Sequence, residues 1–446
     1  MKKNKILCVL LTLLILTTIL CGCFFDPDVI VDESTLLTKY SAEIDKEMKG
    51  SFNFFWDCCS LSENGGYGII SDRWPTQSGI GSVASIGFGL TAYVIGVEQG
   101  YVSLVEAKER TSKTLDNLLI LQQESRSAYK GFFYHFLSMK TGEKYGDCEI
   151  STIDTAILLC GALTAGEYFG GEIKEKATQL YSFANWKAYE KTRGGKKYIS
   201  MGYKNGKILD GCWDWYAEQL MIYVLGAGSP TNEYRLSDET YYDFARKTGS
   251  YNDKSYIFSY FGSIFTYQFS HAWIDFSEYK DREGVNWFEN SVNASKVAYE
   301  YCVDNQKLSK TYSDKSWGLT ACDVRGGYSG YLGTPPRGWT PDDSYRQVQG
   351  TIAPAGAIGS VVFTPKESLV ALKNYQSIPE INTRYGIMDS YNLDQEWYAS
   401  DCIGIDKGIS LLMLANFKNK CVWEVFMKNV FVQNGLEVLS ISKVAK

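Results

Sequence analysis

Histidine is scarce: the 446 residues contain two, His135 and His271. Two imidazoles cannot supply a multi-histidine metal site. Neither stands in a nucleophile context from which a Ser/His/Asp triad could be built. The cysteines from Cys23 onward (23, 58, 59, 148, 160, 212, 302, 322, 402 and 421) include no CxxC pair and no zinc-type spacing, so they are not a metal framework. Cys160 and Cys402 lie in apolar helical contexts and read as small core residues; disulfides are compatible with the pattern but not implied by it. No metal and no cofactor is called for. Positive charge is also short, with 45 Lys and Arg against 51 Asp and Glu, which argues against nucleic acid as a partner. No low-complexity linker divides the chain, and no fixed-period repeat of the kind a helical solenoid shows is present.

The one long apolar run is at the start. MKKNKILCVLLTLLILTTILCGC has three lysines, an apolar stretch from Ile6 to Leu20 and then small residues at a cysteine, the pattern of a secretory signal. Leu20-Cys21-Gly22-Cys23 is similar to a bacterial lipobox, with Cys21 atypical at its position. The expectation is a signal at 1–22, an acylated Cys23 and a tether at 23–33, with Cys21 as the alternative lipidation site and an ordinary cleaved signal as the plain reading. Without the signal and its three lysines the formal charge is −9 instead of −6. Aromatic residues are abundant at 15%, with 32 Tyr and 11 Trp. In an exported acidic chain that composition suggests carbohydrate, because flat rings stack on the apolar faces of sugars.

From residue 34 onward the pattern is helical. Helices are expected over Ser34–Cys58, Ser85–Gly100, Ser103–Gln123, Ser151–Phe169 and Glu172–Trp186, several opening on a capping serine. Gly211–Pro230 has Trp213, Ala217, Leu220, Met221 and Val224 at helical spacing and an almost equally apolar opposite face, so a buried helix is expected there. Ser237–Lys247, Phe261–His271, Asn286–Asn305, Ile352–Phe363, Lys366–Tyr375, Gly404–Phe417 and Lys420–Phe431 complete roughly a dozen. Ser60–Ser82 and Trp317–Gln349 read as long loops, and long loops in compact domains are usually functional. Helices alternating between apolar all round and amphipathic predict one all-α domain over 34–446, an α/α toroid with its loops gathered at one mouth.

Four carboxylates sit at or near the ends of the apolar helices: Asp154, Glu218, Asp401 and Asp406. Glycoside hydrolysis needs two, one to protonate the leaving oxygen and one to activate water or attack carbon. In the expected helix Glu218 lies one turn after Asp214, a like charge that would raise its proton affinity, as suits a general acid. Pairing with a buried Arg is the structural alternative for Glu218, and helix capping is the alternative for Asp154 and Asp406. Substrate-binding candidates are Asp72 with Arg73, Asp214 with Trp215, His271 with Trp273, Tyr331, Arg337 and Trp397.

Eight segments then carry a family resemblance: SIGFGLTAYVIGVEQGY, STIDTAILLCGAL, WDWYAEQLMIYVLGAGSPT, GSIFTYQFSHAWIDF, WFENSVNASKVAYEYC, WGLTACDVRGGYSGY with PPR, GTIAPAGAIGSVVFTP and SDCIGIDKGISLLMLANF. Together they resemble the glycoamylase-like proteins that include glycoside hydrolase family 144, the bacterial endo-β-1,2-glucanases. The resemblance implies a single (α/α)6 barrel and metal-free cleavage of β-1,2-glucan with inversion. It places Glu218 as general acid and Asp154 at an acidic helix start, and leaves Asp401 and Asp406 as alternatives for the base. Asp154 replaces a family glutamate and Ser151 a family aspartate, which marks a different subgroup. In this light Asp214 becomes a sugar-binding group, and the partner of the acid is expected from Asp154 or from the Asp401–Asp406 loop. The expectation is a monomeric, envelope-anchored β-glucan hydrolase that meets the membrane only through its lipid. The alternatives are a β-1,2-glucan transglycosylase, an exo-acting sophorose-releasing enzyme, and a non-catalytic surface glycan-binding lipoprotein.

Overall fold

The computed structural model of the chain describes residues 32–444. The signal, Cys23 and all but the end of the tether lie outside the described residues. Among the described residues fifteen α-helices account for most of the regular structure, and no strand exceeds four residues. The architecture is helical, with small two- and three-stranded ribbons in the connections.

The helices divide by burial. In Val83–Glu98 every residue from Val83 to Gly96 is buried, all nine of Leu220–Gly228 are buried, and Thr152–Phe169 and Gly404–Asn419 are buried over most of their length. These four pack on one another in the order Gly404–Asn419, Val83–Glu98, Thr152–Phe169, Leu220–Gly228. The short turns at Ile264–Tyr267 and Phe269–Ala272 and the helix Pro354–Ile358 fill the remaining gap. Asn416 donates to the Ala272 carbonyl at 2.9 Å, and the Met221 N–H donates to Ser270 Oγ at 3.1 Å. Amphipathic helices cover this inner set. Ser41–Asp57 lies on Val83–Glu98 and Gly404–Asn419, Leu104–Gln122 and Gly171–Ser182 lie outside Val83–Glu98 and Thr152–Phe169, and Val430–Val438 lies on Leu220–Gly228. Leu104–Gln122 buries Ala107, Thr111, Thr114, Leu115, Leu118 and Leu121, a stripe at helical spacing, and leaves its charged face to solvent.

Glycine sets the spacing of the two central helices. A Cβ added at Gly161 would meet the Gly87 carbonyl oxygen at 1.9 Å, so neither position can carry a side chain without forcing the helices apart. Capping is local and readable from the sequence. Ser82 and Ser151 accept from the N–H three residues on, and Ser103 forms a reciprocal capping box with Glu106.

Several expectations need correction. The Gly211–Pro230 helix is real only over Leu220–Gly228. Its first half is extended: Trp213 N–H donates to the Ile199 carbonyl at 2.9 Å, Tyr216 N–H to the Ala245 carbonyl at 3.2 Å, and Ala245 N–H back to the Asp214 carbonyl at 2.8 Å. Pairing with segments distant in the same chain replaces the helical ladder that periodicity alone suggested. Phe261–His271 forms two 3-10 turns, and Ile352–Phe363 narrows to Pro354–Ile358. The loop Ser60–Ser82 contains strands Arg73–Trp74 and Ile80–Ser82. The loop Trp317–Gln349 contains the hairpin Cys322–Val324 with Gly327–Ser329 and the helix Asp343–Val348.

These ribbons aim the inner helices. Short strands Ile80–Ser82, Ile150–Ser151 and Cys402–Ile403 each run directly into an inner helix, and Arg73–Trp74 pairs antiparallel with Cys402–Ile403. Asp154 and Asp406 fall in the first turns of two inner helices, and Glu218 lies just before a third. Positive helix ends therefore face the carboxylates.

Candidate active site

At this end of the helices a cleft of about 760 Å³ opens, with Glu218 in its wall and Trp213, Trp215, Tyr260, Phe261 and Tyr328 around it. Glu218 is fixed by its backbone: Ser270 Oγ donates to the Glu218 carbonyl at 2.6 Å, and the next residue but one starts the buried helix. Burial pushes the Glu218 carboxyl up from its ordinary 4.5 to about 7, and the charge of Asp154 adds to the rise. Asp214 plays no part in this. It points out to Arg193 in an ion pair at the rim.

Asp154 faces His135. The His135 Nε2 lies 3.8 Å from Asp154 Oδ1, its Nδ1 lies 3.1 Å from Glu149 Oε1, and its ring stacks on Phe136 at 4.0 Å. Burial works against the imidazolium, but Asp154 and Glu149 outweigh it and raise His135 to about 9. The hydrogen bond from His135 in turn lowers Glu149 to about 2. His135 is thus a cation at neutral pH.

Arg73 is the second fixed cation. Its Nη1 lies 3.0 Å from Asp323 Oδ2 and 3.4 Å from Asp401 Oδ2, and its Nε lies 3.4 Å from Asp72 Oδ2. Burial raises Asp72 and Asp323, and Arg73 pulls both back. Asp401 is fully engaged: Thr76 N–H donates to its Oδ1 at 2.9 Å and Thr76 Oγ1 to its Oδ2 at 2.5 Å, besides Arg73. Asp406 has no such donors. It abuts Asp389, and burial raises it to about 6, with Asp389 and Lys407 pulling it back. Tyr328 stands in the cleft lining with about half of its surface exposed.

Other expected contacts fall elsewhere. His271 is buried at 1% exposure with Ser291 Oγ 3.0 Å from its Nε2, and burial lowers it to about 3, so it is neutral and shielded from any ligand in the cleft. Trp273 is wholly buried and donates to Thr91 Oγ1 at 3.0 Å. Both belong to the core, because the turns carrying them close the inner helical set. Trp215 does line the cleft, with its indole N–H on the Phe258 carbonyl at 3.1 Å. Tyr331 is exposed beside Gly330 of the cleft lining and stacks on Trp339 at 5.3 Å. Arg337 donates to the Gly333 carbonyl at 3.0 Å and lies 4.7 Å from the Tyr345 ring. Trp397 sits in a hairpin opposite Asn392, apart from the cleft lining.

His135, Glu149, Asp323, Tyr328 and Asp389 were not singled out from the sequence. Asp323 and Tyr328 lie inside a segment that carried the family resemblance, which was a usable signal. Asp389, in MDSYN, had none.

The Glycoamylase family model matches residues 211–430, which contain Glu218, Asp323, Asp389 and Asp406. Over that stretch the chain is similar to the Glycoamylase family. The exo β-1,2-glucooligosaccharide sophorohydrolase of Parabacteroides distasonis is 24% identical over 90% of the chain, which spans only 58% of that protein's length. The endo-β-1,2-glucanase of Chitinophaga pinensis, solved with sophorotriose and glucose, superposes with TM-score 0.79 at 24% identity, covering 91% of this chain and 99% of that one. The endo-β-1,2-glucanase of Talaromyces funiculosus, solved with sophorose, gives 0.64 at 12% identity, covering 91% and 92%. The helical expectation is met at the level of this shared glucanase fold.

Proposed function

We propose that the chain is a β-1,2-glucan hydrolase built as an (α/α)6 toroid over 34–446, with Glu218 as general acid and Asp406 as the base that activates water. The observation that carries this reading is the placement of the carboxyls: Glu218 stands in the wall of the aromatic cleft, where burial raises its proton affinity, and Asp406 lies in the first turn of an inner helix that ends at the same side. Of the two late aspartates Asp401 has its oxygens occupied by Thr76 and Arg73, which leaves Asp406 free for a water. In the step, Glu218 gives its proton to the departing glycosidic oxygen as the bond to the anomeric carbon breaks. Water adds to that carbon from the other face and passes its proton to Asp406, so configuration inverts. The aromatic walls stack on the sugar faces, and Asp72 with Arg73 offers hydroxyl partners. Export and lipid attachment at Cys23, and action as a monomer, complete the proposal.

Incubating the protein with β-1,2-glucan tests it. Sophoro-oligosaccharides should appear with the optical rotation of an inverted product, and Glu218→Gln should stop their release without preventing binding. Release by Glu218→Gln within about tenfold of the unmodified protein would remove Glu218 from the acid role, because general acid catalysis contributes about 10² to 10⁴-fold. Binding with no products at all would favour a glycan-binding surface protein.

A further inference from the structure

Most aromatic rings of the cleft are already packed on another ring. Trp215 lies edge-on to Tyr260 at 5.7 Å and Tyr260 edge-on to Phe261 at 5.0 Å. Phe265 lies 5.1 Å from Phe269, and Tyr216 stacks on Trp287 at 4.6 Å. Tyr328 differs. It lines the same cleft as Glu218 and is 51% exposed, and among the described residues it has no contact with a second ring and no side-chain hydrogen bond. A ring left bare in a concave, largely apolar site has surface to lose to a ligand, and the flat face of a pyranose matches it.

Tyr328 stands on a ribbon that cannot hold itself in place. Strands Cys322–Val324 and Gly327–Ser329 are joined by an exposed two-residue turn in which Gly326 has φ +102°. A two-stranded ribbon by itself is marginally stable at best, so its position is set by what its base is tied to. Ser263, in the cleft lining, joins the two ends: its Oγ accepts from the Ala321 N–H at 2.9 Å and donates to the Leu332 carbonyl at 2.8 Å. Asp323 fixes the first strand. Its N–H donates to Asp389 Oδ2 at 2.6 Å, its carbonyl accepts from Ser390 Oγ at 2.6 Å, and Arg73 Nη1 donates to its two carboxylate oxygens at 3.1 and 3.0 Å. The Arg73 and Asp323 side chains are each 13% exposed, so this charge-assisted pair is shielded from solvent. Asp323 is directly opposite Tyr328 in the ribbon, and the two side chains therefore leave it on one face. We propose that Tyr328 is the seat of a glucosyl ring in the cleft and that Asp323 is its positioning residue, holding the ribbon on Arg73 so that the tyrosine ring stays in the lining. The proposal rests on the cleft being a glucan site.

Kinetics of β-1,2-glucan hydrolysis by single and double variants test this. Tyr328→Ala should raise KM about tenfold, the scale of one aromatic contact, with the loss in KM and not in kcat. Tyr328→Phe keeps the ring and should recover most of that loss. Asp323→Ala keeps both backbone bonds but frees the ribbon from Arg73, and should raise KM by a similar factor. Once the tyrosine ring is gone Asp323 has nothing left to position, so adding Asp323→Ala to Tyr328→Ala should raise KM no further. The proposal is overturned if Tyr328→Ala leaves KM unchanged, or if the double variant loses the product of the two single losses. A lowered melting temperature in Asp323→Ala with KM unchanged makes the aspartate structural only, and overturns its role. Calorimetric titration of sophorotriose into the same variants, in a Glu218→Gln background, gives Kd without turnover and from the folded fraction alone; the same pattern of losses is expected, and its absence overturns the proposal. If the unmodified protein cleaves β-1,2-glucan and Tyr328→Ala keeps its KM, only the tyrosine seat falls. If the unmodified protein neither binds nor cleaves that glucan, the glucan reading of the cleft falls and this proposal with it.

Discussion

Glu218→Gln should make the protein more stable at alkaline pH while it abolishes turnover. In the folded chain burial lifts the Glu218 carboxyl from 4.5 to about 7, whereas in the unfolded chain it ionises at its ordinary value. The sign follows from linkage: a carboxyl whose folded value is raised contributes nothing against folding below about pH 4.5, where both states hold the proton. Its cost grows as pH climbs to about 7 and is constant beyond. At 1.36 kcal/mol for each pH unit the full cost is about 3 kcal/mol. Because Glu218 borders a wet cleft rather than a sealed interior, about 1–3 kcal/mol is the expected range. Glutamine has the same shape and no charge to bury, so it escapes this cost. With an unfolding entropy near 2.1 cal/mol/K per residue, that range corresponds to a melting temperature about 1–4 °C higher at pH 8. Thermal melts of the two proteins at pH 4.5 and pH 8, at one ionic strength, measure it. A gap that is absent at pH 8, or equal at the two pH values, would refute the claim that Glu218 is held protonated by its burial.

Three further outcomes follow from the same geometry. The profile of kcat/KM against pH should be a narrow bell, with an acid limb near 6 as Asp406 is protonated and an alkaline limb near 7 as Glu218 loses its proton; initial rates on glucan across pH 4–9 check it. Lys407→Met should cost about 3–5 kcal/mol in denaturant unfolding, because Lys407 Nζ sits 2.5 Å from Glu47 Oε1 with both side chains almost fully buried, and the glutamate would be left without its cation. His271→Ala should lower stability by about 2–4 kcal/mol through the lost packing on Phe276 and Phe363 and a stranded Ser291 hydroxyl, yet leave KM for glucan unchanged. A raised KM with unchanged stability would return His271 to the cleft.

Much of the architecture was legible because it is written in short range. Val83–Glu98, Leu104–Gln122, Thr152–Phe169, Trp287–Asp304 and Gly404–Asn419 were all recoverable within a few residues, since helix period, serine caps and N-terminal prolines act between neighbours in the chain. The aromatic and acidic composition pointed to sugar, and the Glu218 motif was visible as a carboxylate in an apolar stretch. Trp213 to Glu218 misled, because its helical spacing competes with hydrogen bonds to Ile199 and Ala245, partners that no local window contains. The same holds for His271 and Trp273, whose chemistry suits a sugar site but whose turns close the core.

What the chain by itself determined is therefore a helical fold with a carboxylate-and-aromatic cleft chemistry. Only the tertiary structure showed which partners each carboxylate has. Asp214 is claimed by Arg193 at the rim, Asp401 by Thr76 and Arg73, and Asp154 is set between His135 and Glu218. Asp389 and Asp406 are seventeen residues apart in sequence, and burial raises the proton affinity of both. The physical reason is the same in each case: a carboxyl's proton affinity depends on the burial and the charges within a few ångströms of it, and those neighbours come from segments far apart in the chain.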